Sequence, residues 1–396
     1  MSDSDAGRHG IYLDYFSTTP VDPRVLDYYC QLLRSNFGNP SSVDHDLGTA
    51  AASLVKASRN KIADLVNCDP GEITFTSGAT ESISLFLQGV VAGLARRGNT
   101  KLRVVTSPVE HPAVLENLHA LVQAERIELQ MLSVDSKGRI NLAELETMLE
   151  TGADLVCVMA VNNEVGNIYP TERIAELSSA HRAVYFCDAT QAIGKIPFSL
   201  ASHPDTAVAF SGHKFYAPKG IGVLIADRAL PIRPLFFGGG QQRSLRPGTL
   251  NAPLIATLAY ALEVAFAELA ADAERIRNLR DTLEQQLLAH YPSAVVNGDR
   301  ANRVAGALHV SLVGHSNKQL ISRIRHELAI STGAACSSGS ERPSHMLRAM
   351  HLPPERIESA LRISLGRFTT AEEITGALRL LIGYTSNRAV TAHTAC

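Results

Sequence analysis

Lys214 stands in Ser211-Gly212-His213-Lys214-Phe215-Tyr216-Ala217-Pro218-Lys219-Gly220, a polar, Gly- and Pro-containing segment that follows an apolar run. Open α/β sheets bind ligands just beyond strand ends, and a partly desolvated lysine placed there can lose its proton and form a Schiff base. Asp188 closes another apolar run, in Phe186-Cys187-Asp188-Ala189-Thr190-Gln191. A carboxylate at that place can pair with a cationic ring nitrogen in a cleft, or cap a helix. Thr76-Ser77-Gly78-Ala79-Thr80-Glu81-Ser82 leads into an apolar-periodic stretch. Small residues at a helix start offer N–H groups to an anion, or serve only as the cap. Taken singly, these residues also read as a solvated loop lysine, a turn and a helix cap. Taken together with Ser211 and His213, they describe a phosphate cradle, a carboxylate after one strand and a lysine after a later one. That is the donor set of a pyridoxal-phosphate pocket: the lysine holds the aldehyde, the carboxylate keeps the pyridine nitrogen protonated, and the cofactor is an electron sink.

Such a pocket needs strand ends to carry it. Leu102–Thr106, Ile127–Leu132, Asp154–Val161, Ala183–Cys187, Thr206–Phe210 and Ile221–Ala226 are near-continuously apolar, as strands buried on both faces are. Helical patterns lie between them at Glu81–Arg97, Pro112–Ala124, Leu142–Glu150 and Pro170–His181. This alternation predicts an α/β fold with a mostly parallel central sheet and flanking helices. The pattern changes near Ala252-Pro253, after which one long helical stretch runs to about His290. Strands near Gly306–Leu312 and Leu361–Leu365 follow, with helices near Lys318–Glu327, Ser344–Met350 and Ala371–Asn387. We read a large cofactor-binding domain over residues 15–253. A smaller α+β domain takes residues 254–396 with the N-terminal residues 1–14.

The 396 residues carry 37 Lys and Arg against 39 Asp and Glu, a net charge of −2. A balance this even excludes a broadly basic nucleic-acid coat, and no direct nucleic-acid binding is expected. The polar, acidic start Met1-Ser2-Asp3-Ser4-Asp5 lacks the layout of a signal peptide. The best candidate for a membrane span, Ile83 to Ala95, is interrupted by Ser84, Gln88, Gly89 and Gly93. A cytoplasmic protein without membrane association is the expectation. The cysteines, at 30, 68, 157, 187, 336 and 396, form no CxxC pair, so no zinc ribbon, iron–sulfur ligand set or other metal site is expected. Cys157 and Cys187 lie in apolar runs and read as core thiols. Cys336 lies among small and polar residues, Ser331-Thr332-Gly333-Ala334-Ala335-Cys336-Ser337-Ser338-Gly339.

The chain resembles cysteine desulfurases of the NifS/IscS type, within the class V aminotransferases of PLP fold type I. The resemblance rests on ordered motifs across most of the sequence. They include Tyr12-Leu13-Asp14-Tyr15, Phe37-Gly38-Asn39-Pro40-Ser41-Ser42, the segment Thr76–Ser82, Glu110-His111 and Val161-Asn162-Asn163-Glu164-Val165-Gly166. Asp188-Ala189-Thr190-Gln191, Ser211-Gly212-His213-Lys214, Gly238–Arg243, Arg246-Pro247-Gly248-Thr249 and Ser364-Leu365-Gly366-Arg367-Phe368 continue the series.

The resemblance implies pyridoxal 5'-phosphate bound to Lys214, with Asp188 on the ring nitrogen and Gln191 on the ring hydroxyl. His111 would stack on the ring and relay protons. Ala79, Thr80, Ser211 and His213 would hold the phosphate. Thr249 would reach the phosphate of a partner subunit, which implies a homodimer. Asn163 would serve cofactor and substrate, and Asn39 and Arg362 would bind the substrate. Cys336 would be the sulfur nucleophile, on a loop of the longer type from Thr332 to Pro343. L-Cysteine would become L-alanine, and the persulfide on Cys336 would pass to an acceptor protein in iron–sulfur assembly, tRNA thiolation or DNA phosphorothioation. The alternative is another class V enzyme, such as a selenocysteine or cystine lyase. Phe16-Ser17 departs from the small or polar pair that relatives often carry before Thr18-Thr19-Pro20.

Overall fold

The computed structural model describes residues 10–95, 101–203, 205–332 and 344–392. The first half runs β1 (Ile11–Tyr12), α1 (Pro23–Ser35), α2 (Asp46–Val66), β2 (Ile73–Thr76), α3 (Ala79–Ala95), β3 (Leu102–Thr106), α4 (Pro112–Gln123), β4 (Ile127–Met131) and α5 (Leu142–Glu150). β5 (Leu155–Cys157), α6 (Thr171–Ala180), β6 (Val184–Asp188), β7 (Thr206–Ser211), β8 (Gly222–Ile225), α7 (Ala252–Ala267) and α8 (Leu269–His290) follow. The chain then continues through β9 (Ala294–Val296), β10 (Ala307–Leu312), α9 (Asn317–Ile324), β11 (Leu328–Ala329), α10 (His345–Ala349), α11 (Pro354–Glu358), β12 (Ala360–Ser364) and α12 (Ala371–Ala392).

Seven strands form the central sheet in the order β2-β8-β7-β6-β5-β3-β4. β8 runs antiparallel to both its neighbours, and the other six share one direction. The apolar runs become the buried strands because helices cover both faces. Every expected strand of this sheet is present. The sequence reading did not include β2 or the two helices before it. α1 starts on Asp22, which caps Arg24 N, with Pro23 in the first turn. α2 starts on His45, whose Nδ1 accepts from Gly48 N at 3.1 Å.

A second, antiparallel sheet, β12-β10-β9, packs against α8 and α12 around its own core of Leu283, Leu287, Leu308, Val310, Leu361, Ile363 and Leu381. The stretch expected as one long helix is two, bent by 67° at Glu268. α7 is buried along nearly its whole length against α1 and α2, whereas α8 turns away to the second sheet. Neither Gly nor Pro marks the break. The two halves simply follow two different cores. Among the described residues no single helix is long and apolar enough to cross a membrane.

One ion cluster ties these layers to the turn after β7. Asp22 accepts from Arg24 Nη2 at 2.7 Å and from Arg367 Nη1 at 3.0 Å. Arg24 reaches Glu268 at the bend at 2.6 Å, and Arg367 Nε reaches Asp272 of α8 at 2.8 Å. The Arg367 guanidinium lies 4.6 Å from the centre of the Tyr216 ring, and the Tyr216 hydroxyl accepts from Arg367 N at 2.6 Å. Tyr216 N donates to Thr19 Oγ1 at 2.9 Å, and Asp22 N donates to Tyr216 O at 3.0 Å. Tyr216 has φ 70°, a left-handed conformation that a side chain adopts at a cost, and these contacts hold it.

Arg24 and then Arg367 hold the Asp22 carboxyl down to about 2. Removing one partner of a buried pair leaves the others uncompensated, so Asp22→Asn is expected to lower stability by about 3 kcal/mol at pH 7. Asp22 binds its proton less readily folded than unfolded. Its contribution is therefore complete above about pH 4 and fades as pH falls toward 2. Denaturant midpoints of wild type and variant should converge over that window.

Candidate active site

The C-terminal ends of parallel strands open on one cleft of ≈ 500 Å³. β2 delivers Ser77, Gly78, Ala79 and Thr80 at the start of α3. β3 leads to His111, β5 to Met159 and Asn163, and β6 ends on Asp188 with Thr190 and Gln191 beyond. β7 ends on Ser211, and a single 3₁₀ turn then presents His213 and Lys214. Arg362 enters from β12 of the second sheet. Lys214, Asp188, Gln191, His111, Ala79, Thr80, Asn163, Ser211, His213 and Arg362 thus line one space. Asn39 lies outside it, on an exposed loop where its Oδ1 accepts from Ser41 N at 2.9 Å. Thr249 is also exposed and does not line this cleft. Cys336 and Cys396 lie outside the described residues.

Lys214 Nζ donates to Phe16 O and Ser17 O, both at 2.7 Å. Phe16-Ser17, marked in the sequence only as a departure from relatives, supply the carbonyls that fix where the amine rests. Arg362 is buried: its Nη1 donates to Asn163 O at 3.0 Å, and its Nη2 to Asp14 Oδ1 at 2.9 Å and Ser17 Oγ at 2.6 Å. His111 caps α4, with Nδ1 accepting from Ala113 N at 3.1 Å, so its proton sits on Nε2. Burial, with Lys214 and His345 nearby, lowers the His111 pKa against the opposing pull of Asp188. His213 is pushed down to about 4 by burial and by Lys214, Lys219 and Lys195. Its Nδ1 lies 3.0 Å from Thr18 Oγ1. Lys214, Lys219 and Arg362 stand against Asp188 and Glu81, and Glu81 is itself paired with Arg246 at 2.8 Å. The arrangement favours a ligand that brings negative charge.

Close approach shapes the anion end. A Cβ on Gly222 of β8 would meet the Gly78 backbone at 2.5 Å. The missing side chain lets the Ser77–Ala79 loop lie directly on the sheet. The first N–H groups of a helix have no intrahelical partner, and α3 offers those of Ala79 and Thr80 here. Two residues of the cleft wall keep buried polar atoms without a partner among the described residues: Thr190 Oγ1 and Arg362 Nε. Buried polar atoms are normally satisfied, so this lining is built for a polar guest.

The model of the family described as Aminotransferase class-V matches residues 11–376. The chain belongs to the class-V aminotransferase family. Within it the chain is similar to the cysteine desulfurase IscS of Shewanella oneidensis, 41% identical over 375 residues, 94% of this chain and 91% of that protein. A solved NifS-like protein superimposes with a TM-score of 0.88 at 34% identity, covering 95% of this chain and 99% of its own. SspA in complex with cysteine gives 0.77 at 30% identity, covering 91% and 99%. The family uses pyridoxal phosphate. The residues present fit that group: an amine, a buried carboxylate beyond a strand end, an anion cradle at a helix start and an unsatisfied hydroxyl.

Behind His111 lies an acid for which the sequence had suggested no role. Glu110 is buried, and one carboxyl oxygen accepts from Ser107 Oγ at 2.6 Å and Met159 N at 3.1 Å. Burial, with a smaller push from Asp188, raises its pKa to about 8, so it is neutral at pH 7. An acid whose folded pKa is raised binds its proton more tightly in the native state, and stability drops as pH climbs from about 4.5 to 8. Glu110→Gln removes that titration. The stability of the variant relative to wild type should rise across this window and level off above it, measured by urea denaturation from pH 5 to 9.

Proposed function

We propose that the protein is a pyridoxal-phosphate-dependent cysteine desulfurase that converts L-cysteine to L-alanine and passes the sulfur to an acceptor protein. The observation that carries this reading is the convergence on one cleft of Lys214, Asp188 and His111, from separate strands of the central sheet, and of Arg362, from the middle of β12. Similarity to IscS along 94% of the chain supports the same conclusion.

Lys214 holds the cofactor aldehyde, Asp188 the ring nitrogen and Gln191 the ring hydroxyl. Ala79, Thr80, Ser211 and His213 hold the phosphate, and His111 and Asn163 flank the ring. The bound cofactor supplies an electron sink for charge developing beside the substrate's α-carbon. Arg362 binds the substrate carboxylate through its planar fork. Its anchors, Asp14 and Ser17, hold that fork in place before substrate arrives. Lys214 carries the α-proton, and the carbonyls of Phe16 and Ser17 hold its amine when it is idle. His111, kept neutral with its proton on Nε2, donates and recovers a proton at the sulfur end. Asn39 contributes to substrate binding from the exposed loop after α1.

Cys336 takes the substrate sulfur as a persulfide. Described residues before and after it in the chain are tied to the cleft. Ser331 pairs with Arg362 through both backbone groups, at 2.7 and 3.1 Å. Ser344 Oγ donates to Glu164 at 2.6 Å, and His345 Nε2 lies 3.0 Å from Glu110 O. We propose a homodimer in which Thr249 reaches the partner's cleft. The exposed Leu235, Phe236 and Phe237 nearby support an interface on that face. The protein acts in the cytoplasm, and iron–sulfur assembly is the sulfur destination that the similarity to IscS favours.

Purified protein should show the visible absorption of a lysine-bound pyridoxal phosphate and release alanine from L-cysteine with one persulfide on Cys336. Cys336→Ala should keep the absorption and lose cysteine-dependent alanine formation by at least about 100-fold, the order for removal of a nucleophile. Unchanged alanine formation in the variant would remove Cys336 from the reaction.

A further inference from the structure

Lys195 lies where a lysine is costly. It follows Gly194, which turns the chain at φ +74°, and its amine is carried inward beneath the cleft. Burial and two neighbouring cations, Lys214 and Arg362, all push its pKa well below that of an ordinary lysine. Asp272, which lines the same seam between the two cores, is already bound to Arg367 at 2.8 Å. Lys195 Nζ instead donates to Gln191 Oε1 and sits 4.9 Å from the centre of the Phe16 ring. The unusual Phe16 of this chain therefore forms the apolar floor on which that amine rests.

Gln191 is itself buried, and its amide is held at both ends. Nε2 donates to Phe16 O at 2.9 Å, the same carbonyl that accepts from Lys214. A carbonyl only accepts, and a lysine amine donates whether or not it is charged. Phe16 O dictates the orientation of the amide, NH₂ toward the cleft and oxygen toward Lys195, and the Lys195 amine holds the same orientation by donating to that oxygen. Nε2 carries two hydrogens. Phe16 O takes one, and among the described residues none takes the second, which leaves it for an acceptor in the cleft.

We propose that Lys195 is a positioning residue that locks the Gln191 amide with its N–H toward the cleft, so that Gln191 recognises the ring oxygen of the cofactor as an acceptor. The proposal rests on the pyridoxal-phosphate reading above. Lys195 does not line the cleft, and its hydrogen bond to the lining is made through Gln191.

The test is a cycle of apoproteins titrated with pyridoxal 5'-phosphate, followed by fluorescence and by the position and pH midpoint of the visible band. Wild type, Lys195→Met, Gln191→Ala and the double variant are compared. Lys195→Met and Gln191→Ala should each weaken binding about tenfold and shift the pH midpoint in the same direction. Lys195→Met should add nothing in the Gln191→Ala background. Lys195→Arg, which keeps a donor, should restore binding to within about threefold of wild type. Equal losses from Lys195→Met in both backgrounds would overturn the proposal, as would unchanged binding and an unchanged band. Loss of folded protein in both Lys195→Met and Lys195→Ala, judged by circular dichroism, would make the residue structural and overturn it equally. A wild-type apoprotein that takes up no pyridoxal phosphate would sink the cofactor reading itself.

Discussion

Two backbone carbonyls, those of Phe16 and Ser17, decide where the amine of Lys214 rests, and much of the molecule is arranged to put them there. The segment that carries them is stitched on both sides. Leu13 N donates to Ala329 O, Tyr15 N to Ser364 O and Phe16 N to Ser364 Oγ, all on the second sheet's side. Thr19 N donates to His213 O and Asp22 N to Tyr216 O, on the side of the Lys214 turn. A short segment, turned at Tyr15–Ser17 and closed by Ser17 N donating to Asp14 O at 3.0 Å, thus joins the two cores along the cleft. Lysine is a flexible four-carbon stem, and fixing its head takes two acceptors that cannot drift.

Polar groups behind the lining carry as much of the site as those in it. Asp14 and Ser17 aim Arg362, Lys195 aims Gln191, and Glu110 backs the turn that holds His111. Of these supporting groups, only Ser17 lines the cleft itself. They differ in charge: Arg362 is answered by a carboxylate, Glu110 is kept neutral by burial, and Lys195 has two cations, Lys214 and Arg362, as charged neighbours. The result is a lining whose protonation states are set before a ligand arrives, which is what preorganisation means in electrostatic terms.

The parallel sheet was legible because strands buried on both faces must be apolar throughout, and that pattern needs no partner to be seen. The placement of Lys214 and Asp188 followed, since both close such runs. β2 was not, because Ile73–Thr76 is short and half hydroxylated, and its burial comes from β8 and α3. The break at Glu268 left no mark either: helix periodicity continues through it, and only the divergence of two cores bends the chain. Lys195 and Glu110 were invisible as functional groups for a related reason. A charged residue in a sequence looks solvated until tertiary structure shows what surrounds it. The family motifs named the residues of the lining, while the position of Asn39 outside it could only come from coordinates.

The stitched segment also has a consequence for the order in which the molecule is made. Its partners lie at residues 213, 329 and 364, so the stretch that seats the Lys214 amine leaves the ribosome long before the strand that fixes it. β12 comes last of all the strands, and without it Tyr15 and Phe16 have nothing to pair with on that side. Contacts so distant in sequence form late, after the entropy of closing a very long loop has been met. The large sheet can assemble while the chain is still growing. The cleft cannot be complete until β12 has emerged, so its assembly waits on a strand far behind the stretch it fixes.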